Sequence, residues 1–257
     1  MYVPSGYWKN AYSILDDYHE KLIKQEVTEM VYLAKAWGKI QRNLQLDLED
    51  LAKLAVEKKL TRSGLYRLDK YQEFIAVTQR QINKFNDSAL GTISDAQRQA
   101  GLWGIDATEE TISYLKVKFN RLPASVVENF IGISKQGERL YTLLEKSYPE
   151  TVLKITDAML MGIVKGDNPL TVARNMRDVG NVPLTRAMRI ARTEQLNIFR
   201  KTSLESMKKS GVVSAWQWYA VSTDACSYCL EHHGKEYDLD TVMDTHPNCR
   251  CTEIAVV

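Results

Sequence analysis

The stretch from Cys226 to Cys251 constrains the chain most, because it holds all four cysteines and three of the four histidines. Two residues separate Cys226 from Cys229, so one tight turn can direct both thiolates to the same point. His246, Cys249 and Cys251 follow in the sequence HPNCRC. Paired clusters of nitrogen and sulfur ligands suit a tetrahedral ion, with ligand distances of about 2.0 to 2.3 Å. The spacing therefore predicts a zinc site.

Five candidate ligands compete for about four positions around such an ion. Cys226, Cys229 and Cys251 are the first three, and His246 and Cys249 compete for the fourth place. The alternative is a pair of disulfides. Strain in a Cys-x-Cys bridge and a cytosolic folding environment both disfavour that pairing.

A catalytic zinc is a further alternative, since it needs an open coordination position and a nearby general base. Glu231, His232 and His233 lie between the two clusters and are candidates for that base, although adjacent histidines on a polar loop are more often solvated. The zinc deaminase arrangement is excluded. It places His-x-Glu before Pro-Cys-x-x-Cys, and no such triplet precedes Cys226.

Composition indicates a globular protein of one large domain or two ordinary ones: 257 residues, 44% apolar and 26% charged. The formal net charge of +2 neither requires nor excludes nucleic acid as a partner. The first residues lack the apolar core of a signal peptide, and no run approaches the roughly 20 apolar residues of a membrane span. We therefore expect a protein made and kept in the cytosol.

Helical periodicity dominates the N-terminal region. Apolar residues recur every three or four positions over 8–37, which predicts one amphipathic helix of about 30 residues. The pattern repeats over 44–55 and 68–85, predicting a second and a third helix. Residues 91–104 contain three glycines and predict a loop, a short helix or a hinge, whereas 110–119 alternate as a strand would, with helix as the alternative.

An aromatic face near the N-terminus is a candidate subunit interface, because aromatic residues are enriched at the energetic centres of interfaces. It contains Tyr2, Tyr7, Trp8 and Tyr12. Long helices that carry many charges on their other faces often extend away from a compact body. We therefore expect this region to meet a partner, with a purely internal apolar core as the alternative.

Helical patterning resumes after Pro123 and again after Pro149, where the helix is expected to end near Gly162 or Gly166. A turn then begins a short helix that stops at Gly180. The helix starts are predicted from proline, which favours the first turn of a helix. The helix ends are predicted from glycine, which favours the left-handed conformation after a helix.

The last long helix is predicted over 183–210, before Gly211. Its basic residues Arg186, Arg189 and Arg200 lie opposite the apolar face on a helical wheel. They are candidate contacts to DNA phosphates or to an acidic protein partner. A solvated surface is the alternative.

The same helix places Arg192 and Glu194 at the two margins of its apolar face, on either side of Thr193. A carboxylate there is expected to be partly desolvated. Glu194 is therefore interpreted as a buried ion-pair partner that holds the helix against the zinc module, or as an acid/base candidate.

Two strands are predicted near the cysteines. Residues 212–221 alternate so that Trp216 and Trp218 share one face. Residues 252–257 are expected to return beside that strand, so that the metal ion would fasten both strand ends.

In this order, the motifs resemble the C-terminal head-morphogenesis domain of minor head proteins of tailed bacteriophages, the family of phage Mu protein F. The resemblance covers about 150–257 and depends on an ordered set of positions. The set is Arg192, Thr193, Glu194, Cys226, Cys229, Gly234, Lys235, His246, Pro247, Asn248, Cys249, Arg250 and Cys251. The N-terminal half matches less sharply, through an opening aromatic pair and long charged helices.

The resemblance implies a virion component present in few copies near the portal vertex, and in the host cytoplasm during assembly. Such a protein acts in head assembly and in DNA packaging or ejection, and is not an enzyme. The implied partners are the phage portal protein, the major capsid protein or scaffold, and viral DNA by non-specific contact, with no membrane. The five candidate ligands would hold zinc, and Asn248 and Arg250 would shape the turn.

The implied organisation has two parts. Residues 1–149 form a mostly α-helical region of long helices that docks on the portal. Residues 150–257 form a small α+β domain stabilised by zinc.

Two other functions remain open. Domains of this family also occur at the head of phage-borne toxin polypeptides, so the second function is a hydrolase of phosphoesters or peptides that uses zinc with His232, His233 and Glu194. Against this, the chain has no His-Glu-x-x-His motif and no repeated acidic residues for a two-metal site. The third function is a zinc-ribbon nucleic-acid-binding protein, which is expected to be more basic overall.

Overall fold

The structure, a computed structural model, describes residues 6–221, 225–246 and 249–257. It is mostly helical with one small antiparallel sheet, which confirms the predicted fold class at this level. The helices are α1 (Tyr7–Glu57), α2 (Arg62–Tyr66), α3 (Asp69–Ser113), α4 (Leu140–Glu145), α5 (Ser147–Lys165), α6 (Pro169–Val179), α7 (Val182–Ser210) and α8 (Ser227–His232). A 3-10 helix covers Ala124–Phe130, and the strands are β1 (Ala215–Tyr219), β2 (Glu236–Asp238) and β3 (Thr252–Val256).

The chain divides into two compact units, each assembled from separated segments. The helical unit contains 30–92 and 138–188, and the cysteine unit contains described residues from 1–29, 93–137 and 189–257. This division differs from the predicted boundary at residue 150, because each unit takes residues from both sides of it. The long helices α1, α3 and α7 each supply residues to both units.

The core of the helical unit consists of apolar stripes on its helices. Its buried members are Leu48, Leu51, Ala52, Ala55, Leu65, Tyr71, Phe74, Ile155, Met159, Val172, Ala173 and Met176. Polar groups at its margin find partners within the unit: the Oδ1 atom of Asn181 accepts hydrogen bonds from Trp37 Nε1 and Gln41 Nε2, each at 2.9 Å. Burial of apolar area is thus the main stabilising contribution here.

The first two predicted helices are one helix. The predicted break between Trp37 and Leu44 is wrong, because α1 runs through it without interruption. Leu33, Trp37, Ile40 and Leu44 are all buried and continue a single stripe with spacings of three and four. One glycine inside a helix, Gly38, costs only about 1 kcal/mol relative to alanine, which this packing outweighs.

Residues 91–104, predicted as a loop, a short helix or a hinge, are helical along their whole length and lie inside α3. Two of their three glycines, Gly101 and Gly104, allow close packing. A Cβ atom at Gly101 would lie 2.6 Å from Val127 Cγ1, and one at Gly104 would overlap the carbonyl oxygen of Phe199 on α7. These glycines therefore mark close approach between elements of the cysteine unit.

The predicted strand at 110–119 is also wrong. Helix α3 continues to Ser113, and Lys116 then takes a positive φ of 55°. Within the helix, the Thr111 hydroxyl donates to the Ala107 carbonyl at 2.7 Å, and Ile112 is buried. Helical spacing of the buried positions outweighs the β-branched composition of this segment.

The later helices confirm their predictions. Helix α5 ends at Gly166, whose φ of 76° is left-handed, and α7 ends before Gly211, with a φ of 72°. The Asn168 side chain caps α6 by accepting from the Thr171 amide at 3.0 Å. These ends follow the rules for asparagine at N-caps and glycine after C-termini.

The sheet has the order β2-β1-β3, with both pairs antiparallel. Trp216 and Trp218 lie buried on one face, which confirms the predicted alternation. Trp216 stacks on Tyr237 of β2, with ring centroids 4.5 Å apart, and its Nε1 donates to the Thr241 carbonyl at 2.9 Å. The predicted return strand pairs with β1 as β3, bringing its flanking Cys251 beside the rest of the module.

The aromatic residues near the N-terminus contribute to the core of the cysteine unit. Tyr7 is fully buried and donates to the Ala255 carbonyl at 2.5 Å, so it is not available to a partner. Tyr12 is partly buried and donates to Gln217 Oε1 at 3.1 Å. Tyr2 lies outside the described residues. The prediction of an aromatic docking face is therefore wrong at Tyr7.

Among the described residues, no helix combines the length and the apolar content needed to cross a bilayer.

Candidate metal centre

Helix α8 positions the first pair of thiols. Cys226 is its N-cap residue, with an extended backbone, and Cys229 follows one turn later on the buried side. A spacing of three residues places both side chains on one face of a helix start. Cys249 and Cys251 are buried beside Cys229 in the apolar cluster that also contains Met243.

The five predicted ligands meet in two overlapping groups of three that share Cys229. One contains Cys226, Cys229 and His246, and the other contains Cys229, Cys249 and Cys251; within each group all ligand atoms lie within 4.8 Å of one another. His246 Nε2 lies 3.2 Å from Cys226 Sγ and 3.6 Å from Cys229 Sγ. The structure thus places the five candidate ligands in two groups that share Cys229.

These distances resemble the edges of a tetrahedral ligand set. Around a tetrahedral ion, two sulfurs at about 2.3 Å lie about 3.8 Å apart, and a sulfur and an imidazole nitrogen about 3.5 Å apart. The Sγ atoms of Cys229 and Cys249 are 3.8 Å apart. The cysteine cluster could therefore hold a metal ion, with sulfur and nitrogen as the ligand atoms.

The thiols do not form the disulfides that were the alternative prediction, since all four cysteines are free. A hydrogen bond from Cys251 lowers the pKa of Cys249, and the nearby Arg200 guanidinium lowers it further, to about 5. Burial raises the pKa of Cys229 to about 12. A bound cation would favour the thiolate form of every cysteine that ligates it.

Arg200 holds the second ligand pair in place. It is buried, and its Nε and Nη2 atoms donate to the carbonyls of Cys251 and Cys249, each at 2.7 Å. The predicted exposed basic face is therefore wrong at Arg200, because its charge satisfies backbone carbonyls inside the protein. Arg186 pairs with Glu150 at 2.9 Å, whereas Arg189 is exposed.

A buried carboxylate that the sequence analysis missed connects the motif residues. Glu26 of α1 is 5% exposed and pairs with Arg192 at 2.6 Å and with Arg250 at 3.1 Å. Arg250, predicted to shape the turn, thus links the ligand segment to α1. Asn248, the other predicted turn residue, lies outside the described residues. No sequence pattern relates Glu26 to residues so distant in the chain.

Glu194 is buried, as predicted, and it accepts hydrogen bonds from neutral groups. Its Oε2 accepts from the Lys135 backbone amide at 3.0 Å and from Asn197 Nδ2 at 3.2 Å. Burial raises its pKa. The carboxylate that pairs with arginines beside the ligand segment is Glu26. Glu194 instead fixes the segment after the 3-10 helix.

The histidines between the clusters have other contacts. His232 Nδ1 hydrogen-bonds the Tyr237 hydroxyl, and its ring lies 4.8 Å from that of Trp218. His233 Nδ1 accepts from the Ala220 amide at 3.3 Å. In the described part of the chain, neither belongs to the two metal-capable groups, and neither does Glu231.

Comparison with known proteins agrees with this geometry. Residues 153–254 match the family described as Phage Mu protein F like protein. The predicted phage Mu protein F-like resemblance is confirmed over this segment. The match includes all four cysteines, His246 and the Arg192-Thr193-Glu194 motif, and it excludes α1 to α4.

One curated relative extends over more of the chain. The protein named NAD(+)–arginine ADP-ribosyltransferase EFV, from Enterococcus faecalis (strain ATCC 700802 / V583), is 24% identical over 238 residues. The alignment covers 85% of this chain and 48% of the enterococcal protein. The chain thus spans about half the length of the curated relative it matches. No solved structure matches the chain.

Proposed function

We propose that this protein is a minor head protein of a tailed bacteriophage that acts at the portal vertex in head assembly and in DNA packaging or ejection. The observation that carries the proposal is the phage Mu protein F-like match over residues 153–254. The thiol-rich module supports it, since a small domain fastened by a metal ion suits a part that must persist inside a packed capsid. In this role the protein has no catalytic task.

The proposed ion is zinc. The candidate ligands are Cys226, Cys229, His246, Cys249 and Cys251, and Cys229 belongs to both groups. The Cys226–His246, Cys229–His246 and Cys229–Cys249 distances of 3.2, 3.6 and 3.8 Å are close to the edges of a tetrahedral ligand set. Zinc bound there would supply a cross-link between α8 and the segment before β3. Arg200 orients the carbonyls of that segment, and Glu26 joins it to α1.

The proposed docking surface for the portal protein is an exposed apolar pair in the first half of α1. Ile23 and Val27, one turn apart, are 39% and 57% exposed. An apolar pair on a long helix suits a groove between subunits of a ring. Arg189, on α7, remains the proposed contact to viral DNA or to an acidic partner.

Purified virions provide the test. We expect a few copies of this protein per particle, located by immunogold labelling at one vertex, and co-purification with the portal protein. The double substitution Ile23→Lys/Val27→Lys should abolish that co-purification, whereas Val164→Lys, at an 81% exposed position of α5, should not. Absence of the protein from both heads and virions would contradict the proposal.

The name of the enterococcal relative favours a second candidate, an ADP-ribosyltransferase. Incubation of the chain with labelled NAD+ and an arginine-rich acceptor distinguishes the two. A head protein leaves the acceptor unlabelled at every concentration tested. Transfer of label that depends on the chain would support the second candidate.

A further inference from the structure

A cleft in the cysteine unit is lined by none of the candidate metal ligands. Its volume is about 370 Å³, and it lies between α7, the segment after the 3-10 helix and the loop 242–245. Apolar side chains form much of its wall, among them Phe130, Ile198, Leu204 and Met243. A space of this size accepts one large side chain or one small molecule.

Two buried carboxylates face this cleft. Glu194 is 5% exposed and Glu253, on β3, is 2% exposed; both line the cleft. In the described part of the chain, Glu253 Oε2 has no hydrogen-bond partner. A buried carboxylate oxygen without a donor is unfavourable, so this oxygen favours a ligand that brings an N–H group.

The cationic residues of the cleft have other partners. Lys135 Nζ donates to the Met243 carbonyl at 3.0 Å and to Thr245 Oγ1 at 2.9 Å. Arg200 donates to the carbonyls of the ligand segment. At the rim, Lys201 Nζ lies over the Phe130 ring, 3.9 Å from its centroid. Lys208 Nζ pairs with Asp240 at 3.4 Å. The charges of Arg200 and Lys135 act on the Glu253 carboxyl, but in the described part of the chain no donor forms a hydrogen bond to its Oε2.

We propose that this cleft binds the guanidinium group of an arginine side chain from a partner protein of the head. The inference rests on the proposed function, since it names the chemistry by which a head protein would be recognised. The apolar walls suit the aliphatic stem of arginine, and its planar fork can donate to Glu253. Guanidinium is more weakly hydrated than ammonium, so it enters a half-apolar cleft more readily than lysine does.

The test uses the metal-loaded full chain and three capped amino acids: the N-acetyl methylamides of arginine, lysine and citrulline. Citrulline keeps nearly the shape of arginine and loses the charge. Two-dimensional NMR should show saturable shifts around the cleft with the arginine compound, with a Kd on the order of 1 mM. Binding of the citrulline compound should be at least about 10-fold weaker.

Glu253→Gln should weaken binding of the arginine compound by about 10-fold. Glu236→Gln, the same change at an exposed position of β2, is the matched control and should leave binding unchanged. If Glu253→Gln does not fold, Val242→Trp replaces it. That residue is 65% exposed and lines the cleft, so a bulky side chain there blocks the opening without touching either carboxylate.

Equal binding of the arginine and citrulline compounds, or binding that survives Val242→Trp, would overturn the inference. So would binding of guanosine monophosphate in the cleft with no response to the arginine compound. The labelling of virions at the portal vertex is measured independently of arginine binding, so a negative result in the cleft does not change it. Failure of the inference is therefore distinguishable from failure of the proposed function.

Discussion

The helical unit and the cysteine unit are stabilised in different ways. In the helical unit, long stripes of leucine, alanine and aromatic residues bury apolar area, and the stabilisation is distributed over many positions. In the cysteine unit, a few specific groups fix the ligand segment: thiols, the Arg200 guanidinium and the Glu26 carboxylate. A single change in the helical unit removes one apolar contribution among many and leaves the metal site intact, whereas a single change among the convergent groups removes the site itself.

The largest expected effect comes from Cys229→Ser, because Cys229 belongs to both metal-capable groups. The variant should lose bound zinc, and the cysteine unit should lose on the order of 4 kcal/mol or more of its free energy of unfolding. Metal analysis and hydrogen exchange across the two units measure the two effects.

The comparison variant is Leu51→Ala in the helical unit, where Leu51 is fully buried. It should cost about 2 to 5 kcal/mol through the cavity it creates, while metal content stays the same. Equal loss of zinc in both variants would contradict the claim that the two units are stabilised in different ways.

A second prediction compares two glycines of α3. Gly104→Ala should destabilise the cysteine unit by about 3 kcal/mol, because the new Cβ overlaps the Phe199 carbonyl. Gly91→Ala meets nothing within 4 Å and should stabilise α3 by about 1 kcal/mol through helix propensity. Chemical denaturation of both variants checks the opposite signs, and the same sign for both would refute the close-packing explanation.

These glycines also show where sequence reasoning ends. The apolar periodicity of the sequence correctly predicted the helices, and the alternation around Trp216 correctly predicted a strand of the sheet. Helix length did not follow, because a glycine that permits close packing and a glycine that ends a helix look alike until the neighbouring element is known. Gly101 and Gly104 therefore predicted a loop, although they lie within α3.

The candidate site shows the same limit. The ligands were predictable, because the chemistry of a tetrahedral ion dictates residue types and short spacings. Arg200, Glu26 and Glu253 were not, because each acts on partners far away in sequence or through a single buried atom. A charged residue inside the apolar sequence TEIAVV was the only available signal for Glu253.

A third prediction tests the polar network of the cysteine unit. Glu26→Gln removes the charge that pairs with Arg192 and Arg250, which are both about one third exposed on their side chains. The free energy of unfolding should fall by about 2 kcal/mol, less than for a fully buried pair. Glu20→Gln is the control, because its pair with Lys24 is exposed, and it should produce no measurable change. A similar loss in both variants would contradict the assignment.

The smallest expected effect is the contribution of His19 to the pH dependence of the free energy of unfolding. Burial, with Arg200 and Arg250 nearby, lowers the pKa of His19 from 6.5 to about 3. Below about pH 6.5, His19 binds a proton in the unfolded chain but stays neutral in the folded chain. The free energy of unfolding therefore decreases as the pH falls from 6.5 toward 3.

Between pH 7.5 and 6, this contribution should fall by about 1 kcal/mol. The difference in unfolding free energy between the natural protein and His19→Gln isolates it, since other titrating groups are common to both. A difference that stays constant with pH would show that His19 titrates normally in the folded protein.

Metal content is the most direct test of the account. Native mass spectrometry of the purified chain, with zinc in the growth medium, should show one zinc ion per chain and no reaction of the cysteines with a thiol reagent until a chelator is added. A metal-free chain whose four thiols react at once while the cysteine unit stays folded would contradict it.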